Sequence, residues 1–257
     1  MVTFSKLGEF GRLGNQLFQI SILIGYSKRY KCKWGINNWE YRKFFKYNFP
    51  FYNQKSINKY VYYNFEHKDV PNLGENVDFL GYFQSEKYFE NCKNEIQKIF
   101  TPKEYIIKKI KEKSNIKFGE KECAIHVRRG DYVQSNNFIG KEYYTKAIKR
   151  AKYEGVEKFY ILSDEISWCK DNFIGKEFNF INLKNNNLIL SKNRYNDDIN
   201  DIEDLFFITL FKNVIIANSS FSWWGAYLGC KKKVFCPLKP FEKDNLSTYY
   251  PEKWIKI

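Results

Sequence analysis

The residues with the clearest chemical potential lie at 123–133, Cys-Ala-Ile-His-Val-Arg-Arg-Gly-Asp-Tyr-Val. The apolar run Cys123-Ala124-Ile125 reads as a buried strand, and it ends in His126, Arg128, Arg129, Gly130 and Asp131. The chain has only 2 histidines, and one of them sits here. Arginine is poor core material unless paired. Its forked guanidinium suits bidentate contact with a phosphate or a carboxylate. Alternate residues of a strand share a face, so His126 and Arg128 point together while Arg129 points away, toward Asp131 or another acid. The segment reads as a phosphate-binding strand end, with a structural ion-pair cluster as the alternative.

A second anion signal follows the apolar run 214–217. Asn218, Ser219, Ser220, Phe221 and Ser222 lie at the entry to a helix, where free backbone N–H groups and hydroxyls suit an anion. Ordinary N-capping by serine accounts for the same pattern. Trp223 and Trp224 read as packing. Ser163, Asp164 and Glu165 close another apolar run. The turn Gly11-Arg12-Leu13-Gly14-Asn15-Gln16 lacks the glycine spacing of a dinucleotide fingerprint, and Asn15 and Gln16 are placed to cap the helix or touch a ligand. The acids Asp197, Asp198, Asp201 and Asp204 superficially resemble a metal-binding run, but a solvated loop and helix start are preferred. With six scattered cysteines, no Cys-x-x-Cys pair and two histidines, no zinc cluster is expected. No Ser-His-Asp arrangement follows from spacing.

Positioning these residues requires strands that end side by side. From about residue 117 onward, strand-like runs alternate with helix-like ones: 122–127, 141–155, 158–164, 165–173, 178–182, 202–211, 213–218, 222–230 and 232–237. Such alternation predicts a parallel sheet covered on both faces. Upstream, a strand at 2–8 and a helix at about 14–29 flank the glycine turn. A short strand is expected at 31–36 and another at 77–83. Helices are expected at 85–100 and after Pro102. The segment 37–76 carries no clear pattern. The fold class is therefore α/β in two lobes, with a boundary near 113–120. Ligands of open α/β sheets bind outside the carboxyl ends of the strands, which would gather the 126–131, 162–165 and 218–225 segments around one cleft.

The chain has 257 residues and is 44% hydrophobic and 19% aromatic, enough for a substantial core. A net charge of +14 favours an anionic partner: a nucleic acid, a membrane surface or an acidic small molecule. The basic residues are scattered and no nucleic-acid module is visible, so nucleic acid is not expected as a partner. The cysteines read as free buried thiols of a reducing compartment. No secretory leader is apparent, and the apolar run 17–26 is too short to span a bilayer. A cytoplasmic protein is expected, its basic surface available to the inner face of a membrane.

Taken in order, Gly-Arg-Leu-Gly-Asn-Gln-Leu-Phe-Gln at 11–19, His-Val-Arg-Arg-Gly-Asp-Tyr at 126–132, Leu-Ser-Asp-Glu at 162–165, the run 204–228 and the closing Tyr-Pro-Glu-Lys-Trp-Ile-Lys-Ile resemble glycosyltransferase family 11, the α-1,2-fucosyltransferases. The resemblance runs from the first turn to the last residues; the segment 37–76 does not share in it. It implies a GT-B-like fold, two Rossmann-type lobes with the active site between them. Residues 1–117 would form an acceptor-side lobe and 118–257 a GDP-fucose-binding lobe, with a C-terminal tail free to return to the first. It implies transfer of L-fucose, with inversion, from GDP-β-L-fucose to the 2-hydroxyl of a terminal β-galactoside, without cofactor or metal. His126, Arg128, Ser163, Asp164, Asp204, Asn218, Ser219, Ser220, Phe221 and Ser222 would be donor-side, with Arg128 on the β-phosphate and Asp204 on the guanine edge. Gly14, Asn15 and Gln16 would face the acceptor, Asn15 orienting it, and Asp131 is the first candidate for general base. A different fucosyl linkage and a catalytically inactive sugar-nucleotide-binding protein are the alternatives.

Overall fold

The glycine turn and the apolar run behind it fold as expected, but more deeply. In the computed structural model, strand β1 (Val2–Thr3) leads through the turn into helix α1 (Leu13–Tyr30). Every residue from Leu13 to Ser27 except Asn15 is buried, so the helix is enclosed on all sides and does not present a single stripe. The structure describes residues 1–257 other than 53–57, 182, 184–197 and 242–246; for 198 and 199 only the backbone is described. Asp197 and most of the polar loop before it therefore lie outside the described residues, as does the side chain of Asp198.

Two units are seen, Met1–Lys103 with Lys243–Glu252, and Glu104–Glu242 with Lys253–Ile257. The first holds a four-stranded sheet. Strands β2 (Trp34–Gly35), β3 (Asn58–Tyr62) and β4 (Val77–Gly81) join β1 in the order β2-β1-β4-β3, with every pairing parallel. Strand β3 lies in the stretch that carried no clear pattern. Its alternation is of exposed and half-exposed residues, so no apolar face marks it. The helix expected over 85–100 is broken. A 3-10 turn at Glu86–Cys92, capped by Ser85 Oγ on Lys87 N, turns non-helical at Phe89 before helix α2 (Lys93–Ile99). This break presents the Tyr88 carbonyl to Gly25 of α1, where an added Cβ would lie 2.1 Å from it. In the same unit Ser85 Oγ donates to the Thr248 carbonyl, at 2.7 Å.

Helix α3 (Glu104–Ser114), assigned to the first lobe by the sequence, belongs to the second unit. Its Lys109 and Lys113 meet the buried Glu203 carboxylate of α7 (Asp198–Leu210), at 2.5 and 2.7 Å. A buried carboxylate demands such partners, and α3 supplies them. The second unit also contains β5 (Glu122–Val127), α4 (Gly130–Gln134), α5 (Gly140–Tyr153), β6 (Lys158–Ser163), α6 (Ile166–Asn172), β7 (Phe178–Phe180), β8 (Asn213–Ile215), α8 (Ser220–Tyr227), β9 (Lys233–Cys236) and β10 (Ile255–Lys256). Its sheet is wholly parallel in the order β10-β9-β8-β5-β6-β7. Numbered from β5, that is 3-2-1-4-5-6 read from the β7 edge, the order of a dinucleotide-type doubly wound sheet. Its two halves diverge between β5 and β8. The core behind the sheet is made by Ile125, Val127, Tyr144, Phe159, Ile161 and their neighbours.

Candidate functional site

Parallel pairing sets Val127 of β5 opposite Ser163 of β6. That register decides the surroundings of the arginines. Asp164, one residue past β6, accepts from Arg128 Nη1 through Oδ2 at 2.7 Å and from the Arg129 backbone N through Oδ1 at 2.9 Å. Gly130 lies close beneath; a Cβ there would sit 2.7 Å from Asp164 Oδ2. The other arm of the Arg128 fork, Nη2, donates to Asp131 Oδ1. Arg129 points away as strand parity required. It pairs with Glu165 Oε1 at 2.5 Å and lies over the rings of Trp168 and Phe138, with its guanidinium carbon 5.0 and 5.5 Å from their centroids. Asp131 and Glu165, both open to pairing with Arg129 in the sequence reading, are thus divided: Arg128 takes the first and Arg129 the second.

His126 is 8% exposed, and its ring lies 5.4 Å from that of Phe221 at the start of α8. Its Nδ1 has no hydrogen-bond partner. Burial lowers its pKa to about 4, against the opposing pull of Asp164, so the imidazole is neutral near pH 7. Next to it in the sheet order, β8 runs out into Asn218. The Asn218 Nδ2 donates to the Asn137 and Pro240 carbonyls, at 2.8 Å each, while its buried Oδ1 has no partner. Unsatisfied polar atoms this deep are uncommon in folded proteins. Here two of them stand at the carboxyl ends of neighbouring strands, at the point where the sheet order reverses.

The serines divide by role. Ser219 is the N-cap of α8, its Oγ accepting from Phe221 N at 3.3 Å. Ser222 is fully buried, and its hydroxyl turns back to the Ala217 and Ser219 carbonyls at 3.3 and 3.2 Å. Ser220 remains part-exposed. Ser163 Oγ accepts from Glu165 N at 3.0 Å and so shapes the turn that carries Asp164. Trp223 and Trp224 are buried, as packing residues should be. Asp204 is half-buried on α7.

Tyr132 is a site residue the sequence reading missed. Its ring lies under Arg128, 5.5 Å from the guanidinium carbon, and burial raises its pKa. It sets an aromatic face against the arginine that follows β5. Only its place in α4, one residue after Asp131, could have hinted at this.

In the first unit, Asn15, Gln16 and Gln19 spend their amides on the glycine turn. Asn15 Nδ2 donates to the Phe10 carbonyl at 3.2 Å, and its Oδ1 accepts from Gln84 at 2.8 Å. Gln16 joins the Gly11 carbonyl, at 3.1 Å, to the indole N–H of Trp39, at 2.8 Å. Gly11 has φ of +101° and is crowded by Asn15, so the turn requires glycine there. Gly14 is buried in the first turn of α1. Among the described residues, no group of three His, Cys, Asp or Glu side chains could hold a metal ion. No helix among them is long and apolar enough to cross a membrane. All six cysteines are free; Cys92, Cys123, Cys169 and Cys236 are buried, but Cys230 is exposed.

Residues 9–257 match the family model described as glycosyl transferase family 11. An alpha-1,2-colitosyltransferase of Escherichia coli is 32% identical over 199 residues, 70% of this chain and 62% of that protein. The O-antigen biosynthesis glycosyltransferase WbnK, also of Escherichia coli, is 32% identical over 143 residues, 52% of this chain and 44% of its own length. The matches thus span less than two thirds of either relative. Among solved structures, the alpha-1,6-fucosyltransferase NodZ of Bradyrhizobium, soaked with GDP-fucose, superposes with a TM-score of 0.56 at 14% identity, over 89% of this chain and 92% of that one. At that identity the likeness speaks for the fold alone, a GT-B-like α/β architecture of parallel sheets.

Proposed function

The chain belongs to glycosyl transferase family 11, and from that premise we propose that it is an inverting fucosyltransferase, moving L-fucose from GDP-β-L-fucose to the 2-hydroxyl of a terminal β-galactoside. The observation that carries this is the meeting of Arg128, the N-terminus of α8 and the two unsatisfied atoms His126 Nδ1 and Asn218 Oδ1 where the sheet order reverses. Such a crevice favours a nucleotide, and a helix N-terminus favours its phosphates.

In this reading the diphosphate takes the Arg128 arm now held by Asp131, while Asp164 keeps the other arm and fixes the fork. The bond from fucose C1 to the β-phosphate oxygen breaks, its electron pair leaving with GDP, as the galactose O2 bonds to C1 from the opposite face. The transition state has oxocarbenium character. Arg128 and the N–H groups of α8 stabilise the charge that grows on the leaving diphosphate, the task a divalent cation performs in other transferases. Asp131, released from Arg128, is the candidate acceptor of the O2 proton. Asp204 would read the guanine edge, Ser163 and the 219–222 segment would bound the donor, and Gly14, Asn15 and Gln16 would lie on the acceptor side. The net charge of +14 supports contact with an anionic membrane face on the cytoplasmic side.

The test is a screen of donors and acceptors with linkage analysis of the product. A product linked elsewhere than the galactose 2-position, or no transfer from GDP-fucose, would overturn the reading. A colitosyl donor is the second reading, favoured by the Escherichia coli relative. Colitose is L-fucose without its 3-hydroxyl. A site built to hydrogen-bond that hydroxyl would reject the deoxy donor by orders of magnitude, so competition between GDP-fucose and GDP-colitose separates the two.

A further inference from the structure

The first unit carries a feature that the donor chemistry leaves unused. Four aromatic rings gather at the carboxyl edge of its sheet. Phe10 stands in the loop after β1, Tyr63 follows directly on β3, Tyr82 directly on β4, and Phe65 lies two residues beyond Tyr63. Phe10 and Tyr63 have centroids 5.4 Å apart, Tyr63 and Tyr82 6.5 Å, and Tyr82 and Phe65 stack at 4.7 Å with 21° between planes. Tyr63 is 46% exposed and the other three are half-buried.

The place of these rings is specific. In the order β2-β1-β4-β3, the chain runs from β1 outward to β2 on one side and reaches β3 and β4 on the other. The sheet therefore diverges between β1 and β4, and open α/β sheets take their small ligands at that crevice. The Gln19 amide spans it, donating to the Phe10 carbonyl at 3.1 Å and the Gly81 carbonyl at 3.4 Å. Asn15 and Gln84 close it from the helix side. Phe10 and Tyr82 are thus held on its two walls by buried amides.

We propose that these rings form the acceptor platform, on which a pyranose ring of the glycan lies by its apolar C–H face. This rests on the glycosyltransferase reading above and adds where the acceptor binds. A sugar has hydroxyls at its rim and C–H groups on its faces, and these C–H groups carry the partial positive charge that the negative face of an aromatic ring attracts. Four part-exposed rings present on the order of a few hundred Å². That matches one or two sugar rings and falls well short of the ~800 Å² per partner of a stable protein interface.

The test uses lactose as probe and the full chain. In saturation-transfer NMR, irradiation of aromatic protons should reach lactose in the wild type and be lost in Phe10→Ala/Tyr63→Ala. In turnover, Tyr63→Ala should raise the lactose KM about fivefold and the double variant by more than tenfold, while Tyr63→Phe stays within twofold. GDP affinity by calorimetry and melting temperature should stay at wild-type values in all three. An unchanged lactose signal or KM in the double variant overturns the platform, as does the absence of any lactose signal in the wild type. Lactose binding that depends on the rings in a protein that does not bind GDP would instead refute the donor reading and leave the platform standing.

Discussion

Asp164 and Arg128 are locked together across two adjacent strands. The carboxylate takes the guanidinium on Oδ2 at 2.7 Å and the next backbone N–H, that of Arg129, on Oδ1 at 2.9 Å. Both oxygens are used, so the arginine is held by its side chain and by its own strand end. A fork fixed in this way loses little freedom when a phosphate arrives, the condition for a preorganised charge stabiliser.

Arg128→Ala should lower kcat on the order of 10²-fold or more, because the interaction grows with the charge on the departing phosphate. Arg128→Lys should recover little, since an ammonium cannot hold Asp164 and a phosphate in one plane. Arg129→Ala should act through stability, by about 1 kcal/mol from its part-exposed ion pair and ring contacts, and be seen in the melting temperature. A folded Arg128→Ala protein with near wild-type turnover would refute the donor placement.

Donor choice should follow the base. Calorimetry should give GDP and GDP-fucose clear preference over UDP sugars, and Asp204→Asn should narrow that preference, since a neutral amide accepts less well from the guanine N1 and N2 donors. Equal binding of UDP-galactose would remove Asp204 from the site.

Turnover should persist in excess EDTA. In the proposed complex Arg128 and the α8 N-terminus would face the diphosphate, and the described residues include no three-ligand cluster. If chelation stopped the reaction and manganese or magnesium restored it, the acidic run at 197–204 would have to be reconsidered.

Acid should weaken the fold through His126. Its imidazole titrates near 6.5 when unfolded and at about 4 in the folded protein, because burial disfavours the charged form. Between those values the unfolded chain binds more protons, so the stability present above pH 6.5 is lost as pH falls toward 4. Melting temperature followed from pH 7 to 4.5 should decline, and less steeply in His126→Phe. Parallel declines in the two proteins would exclude the histidine as the cause.

Gly25→Ala should be among the most damaging single changes. Its Cβ would lie 2.1 Å from the Tyr88 carbonyl, a backbone atom that cannot swing aside. Separating α1 from that turn would cost on the order of 1–3 kcal/mol, as overpacked cores do, and denaturant unfolding would read it. A midpoint equal to wild type would mean that the two elements part easily.

Legible in the sequence were the strand–helix alternation of the second unit, the polar end of β5 around His126 and the opposed directions of Arg128 and Arg129. Each follows from a short-range rule: period-two alternation, apolar runs bounded by polar ends, and the reluctance of arginine to be buried alone. Which residues meet is settled by folding. Asp164 reaches Arg128 from 36 residues away because β5 and β6 pair in one register. Tyr132 matters because α4 brings its ring under the Arg128 guanidinium. Helix α3 joins the second unit because Glu203 is buried and needs its lysines. Ser222, read as a phosphate contact, turns its hydroxyl to the backbone because its place in α8 is fully buried. Strand β3, with no apolar face, is a strand because β4 offers it a pairing edge. Pairing, register and burial join residues far apart in the chain, and a local pattern records each partner without recording the other.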